Sequence, residues 1–213
     1  MDACGCNGLT AMFDRRIAER DRDRYHRHGP DRTTRMLLDL LGRHRVGGAT
    51  VLDVGAGIGV VDRELLRAGA GHAVLVEASP AYLQVARQEA REAGVLDRVT
   101  FIDGDFVALA ADIGTADIVT LDRVVCCYPD VDALVGLSAA RASSLYGLVV
   151  PRDRWFARAA VRILNLGSRL RGRAYRAYVH ANMRIDALAA ANGLWPRAEG
   201  STFIWRVVVY ERR

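Results

Sequence analysis

An apolar run ending in three alternating glycines constrains this chain more than any other feature. It reads Val51-Leu52-Asp53-Val54-Gly55-Ala56-Gly57-Ile58-Gly59, and the helix-forming stretch Val60 to Ala68 follows at once. Glycine at this density suits a strand that turns sharply into a helix. Without a Cβ the backbone reaches left-handed conformations and approaches a ligand where a side chain would collide. The helix that follows offers unpaired N–H groups at its first turn. A nucleotide-like cofactor is therefore expected at this turn. The dinucleotide fingerprint G-x-G-x-x-G would need glycine at position 60, where Val60 stands.

Three further strand patterns follow in order, each ending in acidic residues. Ala73-Val74-Leu75-Val76 ends in Glu77, roughly 20 residues beyond the glycines, where an acid accepts hydrogen bonds from ribose hydroxyls. Ala78-Ser79-Pro80 then opens a helix over Ala81 to Ala93, with Ser79 as N-cap and Pro80 at the first helical position. Val99 to Ile102 leads into Asp103-Gly104-Asp105-Phe106, and Ala116 to Leu121 ends at Asp122. Any one of these glycines or acids has an ordinary structural explanation, as close packing or a solvated loop. Their joint placement at successive strand ends favours a ligand site.

The G-x-G-x-G turn behind Asp53, the E-A-S-P turn and the G-D-F turn together resemble the class I S-adenosylmethionine (SAM) methyltransferases. The resemblance implies SAM as cofactor and S-adenosylhomocysteine as product. It places Asp53, Gly55, Ala56, Gly57, Gly59, Glu77, Ala78, Asp105, Phe106 and Asp122 against the cofactor, the Asp105 carboxylate meeting the adenine amine. It also implies an α/β fold: a Rossmann-like, mostly parallel sheet of seven strands closed by a terminal antiparallel hairpin, with N-terminal helices and a helical lid insertion. The strand Leu145 to Val150 stops at Pro151, the helix Ile185 to Ala191 stops at Asn192-Gly193, and Trp195–Ser201 and Thr202–Tyr210 supply the hairpin.

The length of 213 residues suits one domain with a buried core. Within it we distinguish an N-terminal helical extension (1–46), a SAM-binding core (47–150), an arginine-rich insertion (151–178), and a final helix with its hairpin (179–213). No apolar run reaches the ~18 residues of a membrane span, and no secretory h-region opens the chain, so a cytoplasmic location is expected. All 30 basic residues are arginine, which cautions against assigning each one a function.

In the extension, Phe13 to Arg27 reads as a salt-bridged helix broken by Gly29-Pro30, and Asp31 caps a second helix, Thr33 to Leu41. Its Met36, Leu37, Leu40 and Leu41 face inward. By the resemblance, Tyr25, Arg32 and Thr34 are candidates for the methionine end of SAM. In the insertion, Trp155, Ala159, Ile163, Leu166 and Leu170 recur at helical spacing, and Arg154, Arg158, Arg162, Arg169 and Arg173 recur on the other side. Such a basic amphipathic helix or helix pair fits a lid with its arginines in water, a clamp for an anionic acceptor, or a peripheral contact with an anionic membrane. Asn165, Gly167 and Gly172 interrupt it and speak against a single long membrane-lying helix.

The loop Asp122 to Asp130 carries Cys126-Cys127-Tyr128-Pro129. It lacks the Asn/Asp-Pro-Pro-Tyr element of amino-directed nucleic-acid methyltransferases. With the strand Tyr146 to Pro151, it resembles the Mg-protoporphyrin IX O-methyltransferase family, which methylates a propionate. That family's pattern has histidine where Cys127 stands. Cys127, Tyr128 and His180 are the candidates for catalytic roles. His26, His28, His44 and His72 read as surface residues. Cys4-x-Cys6 with Cys126-Cys127 matches zinc spacing poorly, and no metal is expected.

The reading is a SAM-dependent methyltransferase acting on oxygen of a small-molecule acceptor, anionic if the arginines meet it. One alternative is S-methylation of a thiol or metalloid through Cys126 and Cys127. Another is a nucleic-acid-binding protein that keeps a SAM pocket, and the lack of aromatics interleaved with the arginines speaks against a nucleic-acid partner.

Overall fold

The computed structural model describes residues 12–172 and 175–213. Cys4, Cys6 and Arg173 lie outside these residues. The elements run α1 (Arg15–His28), α2 (Arg32–Leu41), β1 (Thr50–Val54), α3 (Val60–Arg67), β2 (His72–Glu77), α4 (Pro80–Glu92), β3 (Val99–Asp103), α5 (Phe106–Leu109), β4 (Ala116–Asp122), α6 (Val131–Arg141), β5 (Ala142–Pro151), α7 (Trp155–Leu170), α8 (Asn182–Ala191), β6 (Leu194–Ser201) and β7 (Trp205–Arg212).

The seven strands form one sheet in the order β3-β2-β1-β4-β5-β7-β6. The first five are parallel, β7 runs antiparallel to β5, and β6 pairs antiparallel with β7. The order reverses between β1 and β4, so a crevice opens at their carboxyl ends, where ligands bind in open α/β sheets. Both faces of the sheet are covered. Leu52, Val119, Tyr146 and Val208 pack on one side with α6 and α8, while Val51, Ile118, Val149 and Val207 pack on the other with α2, α3 and α4. Central strands buried on both faces read as continuous apolar runs, which is why they were legible in the sequence.

Capping fixes the helix starts. Asp14, Asp31, Ser79, Asp105 and Asp130 each accept a backbone N–H in the first turn of the helix that follows. The α6 helix has no clear sequence signature, because Val131–Arg141 is apolar around most of its circumference. A smaller cluster of Ala18, Ile58, Tyr82 and Val85, joined by Phe13 and Tyr25, seats α1 over the glycine turn. No helix among the described residues is long and apolar enough to cross a membrane.

The insertion departs from the lid expectation. It is one 16-residue helix, α7, and its apolar stripe faces solvent: Trp155, Ile163, Leu166 and Leu170 are all exposed. Asn165, away from that stripe, exchanges hydrogen bonds with the backbone of Ala177 at 2.8 and 2.9 Å, and Ser168 is buried. The side carrying these two residues is thus held against the protein, while Arg158, Arg162 and Arg169 stay exposed. Of the four surface histidines, His26 and His28 are exposed, whereas His44 and His72 are half-buried.

Candidate functional site

A cleft of about 420 Å³ opens at the carboxyl ends of β1, β2 and β4 and is roofed by α1 and the α1–α2 turn. Its size falls within the range of small-molecule sites, about 300–1,000 Å³. The floor is the glycine turn. Gly55, Gly57 and Gly59 have φ of 66°, 60° and 70°, a region that L side chains enter at a cost. A Cβ on Gly55 would lie 2.6 Å from Val124 Cγ2. Gly59, by contrast, does not line the cleft. A Cβ there would meet Leu75 Cδ1 at 3.1 Å, so this glycine serves the packing of α3 on β2 and not ligand approach.

Glu77 ties the turn together. Its Oε2 accepts from Gly57 N–H at 2.9 Å and its Oε1 from Ser79 N–H at 2.8 Å. Each oxygen keeps a second lone pair for a ligand hydroxyl. Burial raises the Glu77 pKa, and the backbone donors of Ser79 and Gly57 oppose that rise. Across the cleft Asp105 caps α5 and accepts from the Tyr128 hydroxyl at 2.9 Å. The Tyr128 side chain is thus directed at the acid expected to meet adenine.

Beneath the turn sits a pair of buried acids. Asp53 accepts from Thr120 Oγ1 at 2.6 Å through one oxygen, and its Oδ2 has no partner among the described residues. Neither oxygen of Asp62 has one. Burial, reinforced by Asp62, raises Asp53 well above the usual carboxylate range. Burial lifts Asp62 from its ordinary 3.8 to about 7, against the pull of Arg63. The native state therefore keeps a proton on Asp62 that the unfolded chain releases near pH 4. That contribution is complete below about pH 4 and disappears as pH rises through about 7, a loss of up to about 4 kcal/mol at about 1.4 kcal/mol per pKa unit. Urea unfolding midpoints of Asp62→Asn are expected to fall less between pH 4.5 and 8 than those of wild type. Equal slopes would remove Asp62 from this role.

At the far end, α2 meets β4. Thr34 Oγ1 donates to Asp122 Oδ2 at 2.5 Å, and Arg123 Nε donates to Asp122 Oδ1 at 3.1 Å. Arg123 also pairs with Asp31 and is the one non-glycine residue with positive φ among those described, at 63°. Burial raises Asp122, with Arg123 opposing it, while Asp31 ends below its ordinary value because Arg123 and the two threonines outweigh its burial. Tyr25 also lines the cleft, donating to Glu64 at 2.5 Å. Arg32 is exposed and does not line it.

The wall beyond Arg123 carries the cysteines. Cys126 and Cys127 Sγ lie 3.7 Å apart, and Cys127 Sγ lies 3.2 Å from the Tyr175 hydroxyl. The hydrogen bond from Cys126 and that from Tyr175 bring the Cys127 thiol down to about 7, while Cys126 is raised. His180 does not line the cleft. It stacks on Tyr178 at 5.6 Å, and its Nε2 lies 2.9 Å from the Tyr128 carbonyl oxygen, bracing the loop from behind.

The remaining sequence candidates, Asp53, Gly55, Ala56, Gly57, Glu77, Ala78, Asp105, Phe106, Asp122, Cys127 and Tyr128, all line this one cleft. Sequence reasoning missed Arg123, Asp21, Tyr82 and Phe13. Tyr82 donates to Asp21 at 2.7 Å and meets Phe13 edge-on at 5.6 Å, so α1 and α4 close the roof together. Only tertiary proximity reveals these pairs.

The reversed sheet order, the left-handed glycine cradle and the acid at the end of β2 are those of the Rossmann-like fold of class I SAM-dependent methyltransferases. Residues 51–142 match the family model described as a methyltransferase domain. The chain is 28% identical over 131 residues to ribosomal protein L11 methyltransferase of Dechloromonas aromatica, covering 60% of this chain and 44% of that protein. It is 34% identical over 124 residues to arginine N(omega)-methyltransferase of Streptomyces achromogenes subsp. streptozoticus, covering 56% and 34%. It thus spans less than half the length of these two curated relatives. Magnesium protoporphyrin IX methyltransferase from Synechocystis, solved with SAH bound, shares the fold at a TM-score of 0.69 and 23% identity, covering 85% of this chain and 82% of that one.

Proposed function

We propose that this protein transfers the methyl group of SAM to an oxygen of a small-molecule acceptor, a carboxylate in preference to a neutral alcohol. Bound SAM supplies an electrophilic methyl group on a sulfonium, so the protein contributes mainly position. The Gly55–Gly57 turn and Glu77 would hold the ribose region, Asp105 and Phe106 the adenine, and Thr34 with Asp122 the methionine end. The acceptor would sit toward Cys126 and Cys127, where the Tyr175 hydroxyl lies 3.2 Å from the Cys127 sulfur.

One observation carries the preference for a carboxylate. The acids that face the open cleft are already engaged: Asp21 by Tyr82, Asp31 and Asp122 by Arg123, Asp105 by Tyr128, and Glu77 by two backbone donors. Asp53, with one free oxygen, is only 1% exposed beneath the glycine turn. A carboxylate acceptor is ionised at neutral pH and needs no base, whereas an alcohol does. The α7 arginines give no support to a clamp on the acceptor, since Arg158, Arg162 and Arg169 face solvent.

The test is transfer of labelled methyl from SAM into the small-molecule fraction of host lysate, followed by mild alkali. Released methanol supports a carboxyl ester. An alkali-stable product overturns the carboxylate preference.

The paired thiols favour a second reading, methylation of sulfur or of a thiophilic metalloid held by Cys126 and Cys127. Under the oxygen reading, Cys127→Ser keeps turnover within about threefold of wild type, because no covalent step requires a thiolate. Loss of turnover by two orders of magnitude with unchanged SAM affinity would establish the sulfur reading instead.

A further inference from the structure

The α7 helix presents its apolar stripe to solvent and holds its opposite side against the protein. At about 100° per residue, Trp155, Ala159, Ile163, Leu166 and Leu170 fall within an arc of about 80°. Arg158, Arg162 and Arg169 fall within about 40° directly beside it. Trp155 and Leu170 are each 80% exposed and Ile163 is 73% exposed. Buried Ser168 and the Asn165–Ala177 hydrogen bonds fix the inward side.

The stripe continues onto the β6–β7 turn. Phe203, itself 70% exposed, stacks on Phe156 at 5.1 Å with the rings 13° from parallel. Arg152 N–H donates to the Ile204 carbonyl at 2.8 Å. Helix and turn therefore form one surface. Residues 154–172 contain five described arginines and no acid. Arg158 lies 3.5 Å from Asp153, while Arg162 and Arg169 have no ion pair among the described residues.

We propose that this surface docks the protein on an anionic phospholipid bilayer, with α7 lying in the plane of the interface. The charge selects the occupant. A bare apolar stripe edged by unpaired arginines matches acyl chains beside anionic headgroups, with the guanidinium groups reaching up to phosphate. Tryptophan at one end of the stripe suits the headgroup boundary. Sixteen residues are fewer than the ~20 a spanning helix needs, so the helix rests on the bilayer and does not cross it. The returning segment connects this surface to the cleft, because Tyr178 N–H donates to the Cys126 carbonyl at 2.8 Å and Tyr175 contacts Cys127. This docking is independent of which acceptor is methylated.

The experiment is co-sedimentation of the full chain with vesicles of phosphatidylcholine alone and of phosphatidylcholine with about one-third phosphatidylglycerol, at low and high salt. Binding to the anionic vesicles is expected to be at least tenfold stronger than to neutral ones and to weaken with salt, with a blue shift of tryptophan emission. An Ile163→Ser/Leu170→Ser variant is expected to lose at least tenfold in partitioning, and an Arg162→Gln/Arg169→Gln variant to lose its preference for anionic lipid. Both variants change exposed side chains, so their unfolding midpoints and SAM affinity should match wild type. Absence of partitioning overturns the proposal, and so does equal binding to both vesicles. A dimer in sedimentation velocity that Ile163→Ser/Leu170→Ser dissociates, without vesicle binding, would assign the face to a second copy and overturn it equally.

Discussion

Gly55→Ala is expected to weaken SAM binding by about two orders of magnitude in a calorimetric titration while the protein stays folded. Two costs combine. Alanine in the left-handed region costs roughly 1–2 kcal/mol, and Gly55 sits at φ 66°. The new methyl also meets Val124, 2.6 Å from its Cγ2 in the present backbone, and overpacking of this kind costs about 1–3 kcal/mol. The turn must shift to relieve both, and it is the floor of the cleft. The double variant Gly55→Ala/Val124→Ala removes the collision and leaves the φ cost, so it should recover about tenfold of the lost affinity. Gly48→Ala is the control: its φ is 76°, no atom lies within 4 Å of the added Cβ, and it is absent from the cleft wall. It should lower stability without touching SAM affinity. Equal affinity losses at Gly48 and Gly55 would show that the cradle is not the binding determinant.

Arg63→Ala is expected to be the most destabilising single change in the protein, by about 3–5 kcal/mol, the range for removing one partner of a buried ion pair. Arg63 is 2% exposed. Its Nη1 donates to the Ile58 carbonyl at 2.5 Å, its Nη2 lies 3.1 Å from Glu89 Oε2, and its guanidinium sits 5.0 Å from the Tyr25 ring centre. It is a strut joining the glycine turn, α4 and α1. Without it the side-chain partner left to Glu89 among the described residues is His26, 2.9 Å from each of its oxygens. The melting temperature should fall by roughly 10 °C for a domain of this size. Because the two share one network, the double variant Arg63→Ala/Glu89→Ala should cost clearly less than the sum of the singles. Additive losses would mean the pair is not coupled.

The glycine turn, the acid-ended strands and their order were legible because a parallel sheet advertises itself in apolar runs with the turn chemistry between them. Val51–Gly59 and Glu77 needed no partner to be recognised. The α6 helix was not legible, because it is apolar nearly all round and has no clear amphipathic period. Gly59 and Gly55 look alike in sequence, yet one packs against Leu75 and the other against the cleft-lining Val124. His180 and Tyr128 both read as candidate acid–base residues. The fold turns Tyr128 onto Asp105 and places His180 behind the loop against the Tyr128 carbonyl.

By itself, the sequence determined the alternation of strands and helices and the glycine turn, because these depend on local backbone conformation and periodicity. Three features were decided only by tertiary structure. Arg123 is held at positive φ between Asp31 and Asp122, Asp62 is enclosed without a hydrogen-bond partner among the described residues, and the stripe of α7 is turned outward. Each depends on what stands opposite a side chain in space. An amphipathic period states that a helix has an apolar face, and only the packing of Asn165 and Ser168 settles that this face is the outer one.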